Sequence, residues 1–267
     1  MKKKTLCMAS LILLMASCGE KKSDSKPAQD STATPEAEAR IAPESPDYDL
    51  FQIKGDIEYI VHERFMDLTS RNLEQGDSIR FDDKGFWIGR TTWSGSGRER
   101  TIYEDIRLSY NGDGEFIEGK DVATTPQMKV VIERNDSLYL TSMSRLDGGD
   151  GSWEDASYTK KWEWLGSRQK RNETSGYGWH ITNRFSYPEE GMMPESAKRT
   201  TEDEGGLLEE SIKFEYTAID PNGNWTERKV HIEERSRDYD VETGSIVQNG
   251  EVKRRSYLER RRIGYRH

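Results

Sequence analysis

Cysteine is nearly absent from this chain of 267 residues. Cys7 and Cys18 are its two cysteines, and both lie close to the amino terminus. The chain after Cys18 therefore offers no thiol nucleophile, no disulfide and no cysteine ligand for zinc or an iron–sulfur cluster. A domain without such crosslinks has to be held together by its packed core alone.

Apolar residues are also scarce, at 33% of the chain, whereas charged residues reach 33% and aromatic residues 10%. No segment of useful length carries an apolar stripe with the helical period of about 3.6 residues. The nearest candidate, Glu202–Lys213, contains Gly205-Gly206, which weaken a helix. This composition favours sheets with one wet face over a fully buried α/β sheet.

Motifs of common catalytic and metal sites are missing as well. The sequence has no Gly-x-Ser-x-Gly elbow, no phosphate-binding Gly-Lys-Ser/Thr loop and no His-Glu-x-x-His pair. Its acidic turns do not place oxygen ligands at the spacing of a calcium loop. We therefore predict no catalytic residue, no metal and no cofactor. The histidines of the alternating segments are predicted to face solvent, and they are His62, His180 and His231.

The amino terminus has the pattern of an export signal. Lys2–Lys4 precede the short apolar run Leu11–Met15, and Ala16-Ser17 lead to Cys18. A basic start, a short apolar run and small residues are typical of a secretory signal rather than a membrane span. The cysteine after Met15-Ala16-Ser17 resembles the bacterial lipobox. The resemblance implies a signal peptide over 1–17 and a lipid on Cys18. An ordinary signal peptide cut nearby is the alternative.

Residues 18–48 are predicted to form the lipidated cysteine and a disordered tether. Four of the eight prolines fall here among serine, threonine, alanine, glutamate and lysine, and no apolar period is present. Asp30-Ser31-Thr32 resembles an O-glycosylation site of Bacteroidota, with Ser31 as the acceptor. Lys21 and Lys22 interrupt the acidic signal for surface export, so the periplasmic face and the cell surface both stay open.

Loss of residues 1–17 removes three lysines and no acid, so the formal net charge changes from -9 to -12. An acidic chain repels phosphate backbones, and this excludes general nucleic-acid binding. The predicted partner is instead the outer membrane, reached through the lipid.

From about Asp49 the apolar period becomes two, which indicates half-buried antiparallel strands. Ile57, Tyr59 and Val61 alternate with polar residues. Ile212, Phe214 and Tyr216 alternate in the same way, as do Val230 and Ile232. We predict one all-β domain over 49–267, an antiparallel meander of successive hairpins. Its turns recur, and two explanations are open: the chain is a degenerate repeat, or these are the ordinary turns of an antiparallel protein.

In those turns a glycine ends a polar stretch, and an aromatic residue or leucine follows two residues later. Glycine allows the positive φ that such turns require. The turns are Asp82–Gly85, Asn111–Gly114, Gly148–Gly151, Asp203–Gly206 and Asp220–Gly223.

The most complete hairpin is Phe214–Arg228. Asp220, Gly223, Asn224-Trp225 and Arg228 match the Asp-x-x-Gly-Asn-Trp-Thr-x-Arg pattern. This segment resembles a hairpin of Bacteroidota lipoproteins of unknown function, which is similar to YD/RHS-type repeats. The resemblance implies a β-rich extracellular wall and carries no catalytic residue.

Two pairs of side chains are candidate contact residues. Trp93 and Trp153 flank glycine-rich turns and are predicted to be exposed, where they could stack on a sugar. Filling of the core is the alternative. Alternation places Arg260 and Arg262 on one face of the last strand and Arg261 on the other. The pair could contact anionic lipid, or it could pair with neighbouring acids.

These observations predict an outer-membrane-anchored lipoprotein with a non-catalytic binding or scaffolding role, whose partner is a glycan or an envelope protein. A glycan-binding module at the cell surface is the main alternative. A carbohydrate-active enzyme is a weaker one, since it rests only on the abundance of acids, 49 in this chain.

Overall fold

The computed structural model describes residues 44–69, 71–96, 99–147, 155–240, 243 and 245–266. Cys18, Ser31 and Trp153 lie outside these ranges. The described chain holds one short helix, α1 (Pro46–Phe51), followed by fifteen strands. The strands are β1 (Ile57–Phe65), β2 (Leu73–Phe81), β3 (Trp87–Ser94), β4 (Thr101–Tyr110), β5 (Phe116–Asp121), β6 (Met128–Arg134), β7 (Leu140–Asp147), β8 (Asp155–Leu165), β9 (Arg168–Gly176), β10 (Trp179–Ser186), β11 (Ser196–Asp203), β12 (Gly206–Ile219), β13 (Trp225–Tyr239), β14 (Ile246–Asn249) and β15 (Lys253–Tyr265).

Fourteen of these strands form a closed antiparallel barrel. Each strand from β1 to β13 pairs with the next, β13 also pairs with β15, and β15 returns to β1. The short β14 adds to β13 beyond the part that β15 covers. The all-β antiparallel prediction is confirmed, and the closure is more specific than a meander. Closure leaves no long open edge between β1 and β13.

The tight turns at one end of the barrel have the geometry that their sequences predict. The side chain of Asp82 accepts hydrogen bonds from the backbone N–H of Lys84 at 3.0 Å and Phe86 at 2.8 Å. Asn111 and Asp220 bond their own turns in the same way. The glycines that follow have positive φ, and they are Gly85, Gly114 and Gly223.

Strand faces match the predicted alternation in β12 and β13 but not in β1. Ile212 and Val230 are buried inside the barrel. In β1 the inward residues are Ile60 and His62, whereas Tyr59 is 41% exposed on the outer wall. A bulge after Ile57 shifts the pairing with β15, and a shift of one residue reverses the two faces of a strand.

Helix α1 closes one end of the barrel, at the same end as the tight turns. Ser45 caps the helix, and Tyr48 and Phe51 pack into the main apolar cluster. Asp47 is fully buried and binds Arg134 of β6 and the backbone N–H of Trp87. The folded part therefore begins before the predicted boundary at residue 49. Residues 46–48, which the tether prediction of 18–48 includes, belong to α1, whose long-range contacts leave no local apolar period in the sequence. The part of that prediction over 18–43 lies outside the described residues.

Ion pairs between neighbouring strands lie on the outer wall. Arg260 lies 2.8 Å from Glu227, and Arg262 lies 4.0 Å from Glu63. Such cross-strand pairs are typical of a sheet face in water. The other outward cross-strand pairs include Arg171–Glu163, Lys229–Glu215, Arg237–Glu209 and Arg254–Glu233. Arg107–Asp105 and Lys120–Glu118 pair within one strand. No helix in the described ranges is long and apolar enough to cross a membrane.

Candidate binding site inside the barrel

Two adjoining cavities occupy the barrel interior. One, of about 340 Å³, lies under Leu50 and Phe51 of α1. The other, of about 650 Å³, is lined by residues nearer the opposite ends of the strands. We call the side chains that line both cavities the luminal site, and they are Arg90, Lys160, Thr174 and Asn183. They come from β3, β8, β9 and β10, so barrel closure is what brings them together.

His62 bridges two carboxylates of the interior. Its Nδ1 lies 3.4 Å from Asp77 Oδ2, and its Nε2 lies 3.6 Å from Glu259 Oε2. Burial acts to lower the pKa of His62, but the two carboxylates raise it above its usual value. The prediction that His62 faces solvent is wrong, since its side chain is 21% exposed. His180 and His231 lie on the outer wall with 42% and 40% exposed side chains.

Cations hold both of these carboxylates in the charged form. Burial opposes ionisation of Asp77, but Arg90 and His62 bring its pKa down to about 2. Burial also opposes ionisation of Glu259, and there Arg228 and His62 hold the pKa well below its usual range. The Arg228 Nε donates to Glu259 Oε2 at 2.6 Å.

The hairpin Phe214–Arg228 contributes an aromatic centre to this network. Trp225 is fully buried, with Arg228 4.2 Å and Arg261 3.7 Å from its ring centroid. The Arg261 guanidinium also donates to the backbone oxygen of Phe51 at 2.9 Å. A desolvated guanidinium over an indole is the stronger form of this interaction. Arg261, which stacks on Trp225 of the motif, therefore joins the wall of the barrel to helix α1.

Lys160 is the least neutralised cation of the luminal site. Burial, and next the charge of Arg90, lower its pKa to about 8. No carboxylate of the described residues forms an ion pair with it within 4.0 Å. Glu104 nearby is engaged by Tyr158, which donates a short hydrogen bond, and by Thr92 at 3.2 Å.

A row of amide side chains lines the cavity on β9 and β10, which follow β8 in the sheet. The Asn183 Nδ2 donates to Asn172 Oδ1 at 2.8 Å, and Arg199 Nε donates to Asn183 Oδ1 at 2.8 Å. Gln169 is 5% exposed and lines the same cavity. Sequence reasoning missed this row because β9 has no apolar alternation. The sequence did contain one signal for this row. The strand β9 has polar residues on both faces, and the aromatic Trp162 lies on the neighbouring strand β8.

The predicted contact residues have mixed outcomes. Trp93 lies on the outer wall but is only 5% exposed, so the prediction of an exposed ring is wrong. It packs on Gly76 of the neighbouring strand, and Arg100 lies 3.6 Å above the ring centroid. Arg260 and Arg262 face outward while Arg261 faces inward, as alternation predicts. Their contact with an anion stays a prediction.

Substitution of Gly76 by alanine should reduce stability by about 1–3 kcal/mol, since the added methyl group would overlap the Trp93 indole. Gly112→Ala is the matched control, because no atom lies within 4 Å of the added carbon. Chemical denaturation of both variants measures the difference. Equal stability of the two variants would show that Trp93 is not seated on Gly76.

Among the described residues, no group of three or more His, Cys, Asp or Glu side chains could hold a metal ion. The site consists of donors, acceptors and ring faces.

No protein-family model matches the chain, and no curated protein matches its sequence. Among solved structures, a porin-like protein from Bacteroides uniformis ATCC 8492 is similar to it with a TM-score of 0.41 and 9% sequence identity. The alignment covers 78% of this chain and 98% of that chain.

Proposed function

We propose that this protein is a lipid-anchored envelope protein of the outer membrane that binds a small polar ligand inside its barrel without transforming it. The luminal site carries this proposal. Two adjoining cavities of about 340 and 650 Å³ lie inside a closed wall and are lined by charged groups, amides and rings. Concave pockets with a few placed polar groups are typical of small-molecule sites.

The outer wall supports attachment through lipid on Cys18 rather than through the strands. A wall in contact with lipid tails needs an apolar band, and charged side chains there are costly. This wall instead carries ion pairs such as Arg260–Glu227 and Arg254–Glu233. The barrel then stands in water, and the lipid holds it at the membrane.

The carboxylates of the interior support binding rather than catalysis. A glycosidase needs one carboxylic acid whose pKa is raised, so that it can donate a proton. Asp77, Glu104 and Glu259 line or adjoin the cavities, and cations hold the pKa of each below its usual value. A carboxylate locked in its charged form is suited to holding Arg90 or Arg228 in place.

A glycan is the second candidate, and the rings of the cavity favour it. Trp87 and Trp162 line the smaller cavity together with the amides of Asn172 and Asn183. Rings and amides are the groups that stack on and hydrogen-bond to sugars. Stacking would then occur inside the barrel and not at Trp93. A glycan panel applied to the full-length protein tests this, and a blank panel would count against sugar recognition.

The anchor is tested by Cys18→Ala in the producing cell. We expect the variant to lose metabolic fatty-acid label and to leave the detergent phase, because no sulfur remains to be lipidated. Cys7→Ala is the matched control, since it removes the other cysteine and leaves the lipobox intact; it should keep the label. Retention of label by Cys18→Ala would show that the anchor lies elsewhere.

A further inference from the structure

The unsatisfied polar groups of the smaller cavity are all nitrogens. Trp87 Nε1, Arg90 Nε and Gln169 Nε2 are buried N–H groups without a hydrogen-bond partner among the described residues. Arg261 Nε shares this state. Trp87 is 3% and Gln169 5% exposed, so each is withdrawn from bulk water. A buried donor without an acceptor costs about 1–3 kcal/mol, and an oxygen-rich ligand would remove that cost.

The charge of the barrel interior also favours an oxygen-rich, anionic ligand. The cations that line the two cavities outnumber the carboxylates that line them by five to four, although the chain as a whole carries a net charge of -9. The cations are Arg90, Lys160, Arg199, Arg255 and Arg261, and the carboxylates are Asp77, Glu104, Glu173 and Glu210. A cavity with low-dielectric walls strengthens this local excess and attracts anions.

Lys160 is the natural centre of such a site. It lines both cavities, and no carboxylate of the described residues pairs with it. Asp77 and Glu104 hold Arg90 loosely, at 3.7 and 3.8 Å, so its Nε is still able to donate to a ligand. An oxyanion between these two cations would gain charge-assisted hydrogen bonds from both.

We propose that the luminal site binds a small hydroxylated molecule that carries an oxyanion, a carboxylate or a phosphate, with the oxyanion held by Lys160 and Arg90. The donors of Trp87 and Gln169 complete its hydrogen bonds. The amides of Asn172 and Asn183 bond its hydroxyl groups. This inference rests on the proposed function, since it names the ligand class of the same cavity.

Calorimetric titration of the full-length protein in detergent tests the ligand class. The probes are glucuronate, glucose 6-phosphate, inorganic phosphate and neutral glucose. We expect glucuronate or glucose 6-phosphate to bind at least tenfold more tightly than glucose, which lacks the oxyanion. Preference for glucuronate identifies a carboxylate site and preference for glucose 6-phosphate a phosphate site. If inorganic phosphate binds as tightly as glucose 6-phosphate, the hydroxyl groups do not contribute to binding, and the role proposed for the Asn172 and Asn183 amides is overturned.

Substitutions in β8 test whether Lys160 holds the oxyanion of the ligand. Lys160→Gln should weaken binding of the preferred anion at least tenfold, and Lys160→Arg, which keeps the charge, should restore most of it. Lys161→Gln is the matched control, because Lys161 is exposed on the outer face of the same strand. An unchanged melting temperature of each variant shows that its fold is retained.

Failure of the oxyanion site can be distinguished from failure of the proposed binding function. Glucose binding as tightly as the anions, or a Lys160→Gln variant that binds like the unaltered protein, would overturn the oxyanion site and leave a ligand-binding barrel standing. Absence of binding for all four probes would overturn both the oxyanion site and the binding function proposed for this cavity.

Discussion

Asp47→Asn should lower the free energy of unfolding by about 3–5 kcal/mol, the range for breaking a buried ion pair. The Asp47 carboxylate is fully buried and accepts from both terminal nitrogens of Arg134, at 2.7 and 2.8 Å. It also accepts from the backbone N–H of Trp87 at 2.8 Å. Asparagine keeps the volume but leaves the Arg134 guanidinium charged and uncompensated. Urea denaturation of the full-length protein measures the loss.

Asp49→Asn serves as the matched control in the same helix. Asp49 accepts from the Tyr139 hydroxyl at 2.9 Å but is only partly buried, and no arginine of the described residues forms an ion pair with it. Its replacement should cost about 1 kcal/mol. The double variant Asp47→Asn/Arg134→Met should lose less than the two single variants together, since no buried charge is then left alone. Equal losses at Asp47 and Asp49 would contradict the role given to the ion pair.

Acid should destabilise the barrel steeply between about pH 5 and pH 2. The pKa of Asp77 is depressed to about 2 in the folded chain, from an unfolded value near 3.8. Its contribution is therefore present above about pH 4 and is lost as the pH falls toward 2. That contribution is about 2 kcal/mol for Asp77. Glu259, whose pKa is also depressed, adds to it in the same direction.

Protonation of His62 changes the stability with pH in the opposite direction and over a different pH range. Its pKa is raised in the folded chain, so its contribution is present below the unfolded value of about 6.5. It is lost as the pH rises through the folded pKa. The acid loss between pH 5 and pH 2 therefore comes from the carboxylates and not from His62.

Urea midpoints at pH 7, 5, 4 and 3 test this expectation. Asp77→Asn should be less stable at pH 7 and should show a shallower decline toward acid. Glu233→Gln is the control, because its pair with Arg254 is exposed on the outer wall. It should follow the unaltered protein at every pH. Parallel pH curves for Asp77→Asn and the unaltered protein would contradict the depressed pKa of Asp77.

Local patterns predicted those elements whose alternation is uninterrupted. Ile212 and Phe214 in β12 and Val230 and Ile232 in β13 face inward as predicted, because a strand turns every second side chain the same way. The Asp220–Gly223 turn also formed as predicted. The same rule failed in β1, where a bulge exchanged the faces of Tyr59 and His62. Strand register is set by the partner strand, which a local pattern does not contain.

Trp93 shows a second limit of local reasoning. Its position beside Ser94-Gly95-Ser96-Gly97 indicates a turn, and the ring was expected to be exposed. The space that buries it comes from Gly76 across the β2–β3 pair and from Arg100. Neither partner is marked by a pattern in the sequence around Trp93, so its burial is a property of the folded wall.

The sequence by itself determined an all-β antiparallel domain with hairpin turns, no thiol chemistry in that domain, and an acidic surface. These properties follow from the composition and from the apolar alternation within short segments of the sequence. Only the tertiary structure decided that the strands close into a barrel, that α1 seals one end, and that His62, Arg90 and Lys160 share its interior. These residues lie on β1, β3 and β8, and strand pairing around a closed wall is the physical step that joins them.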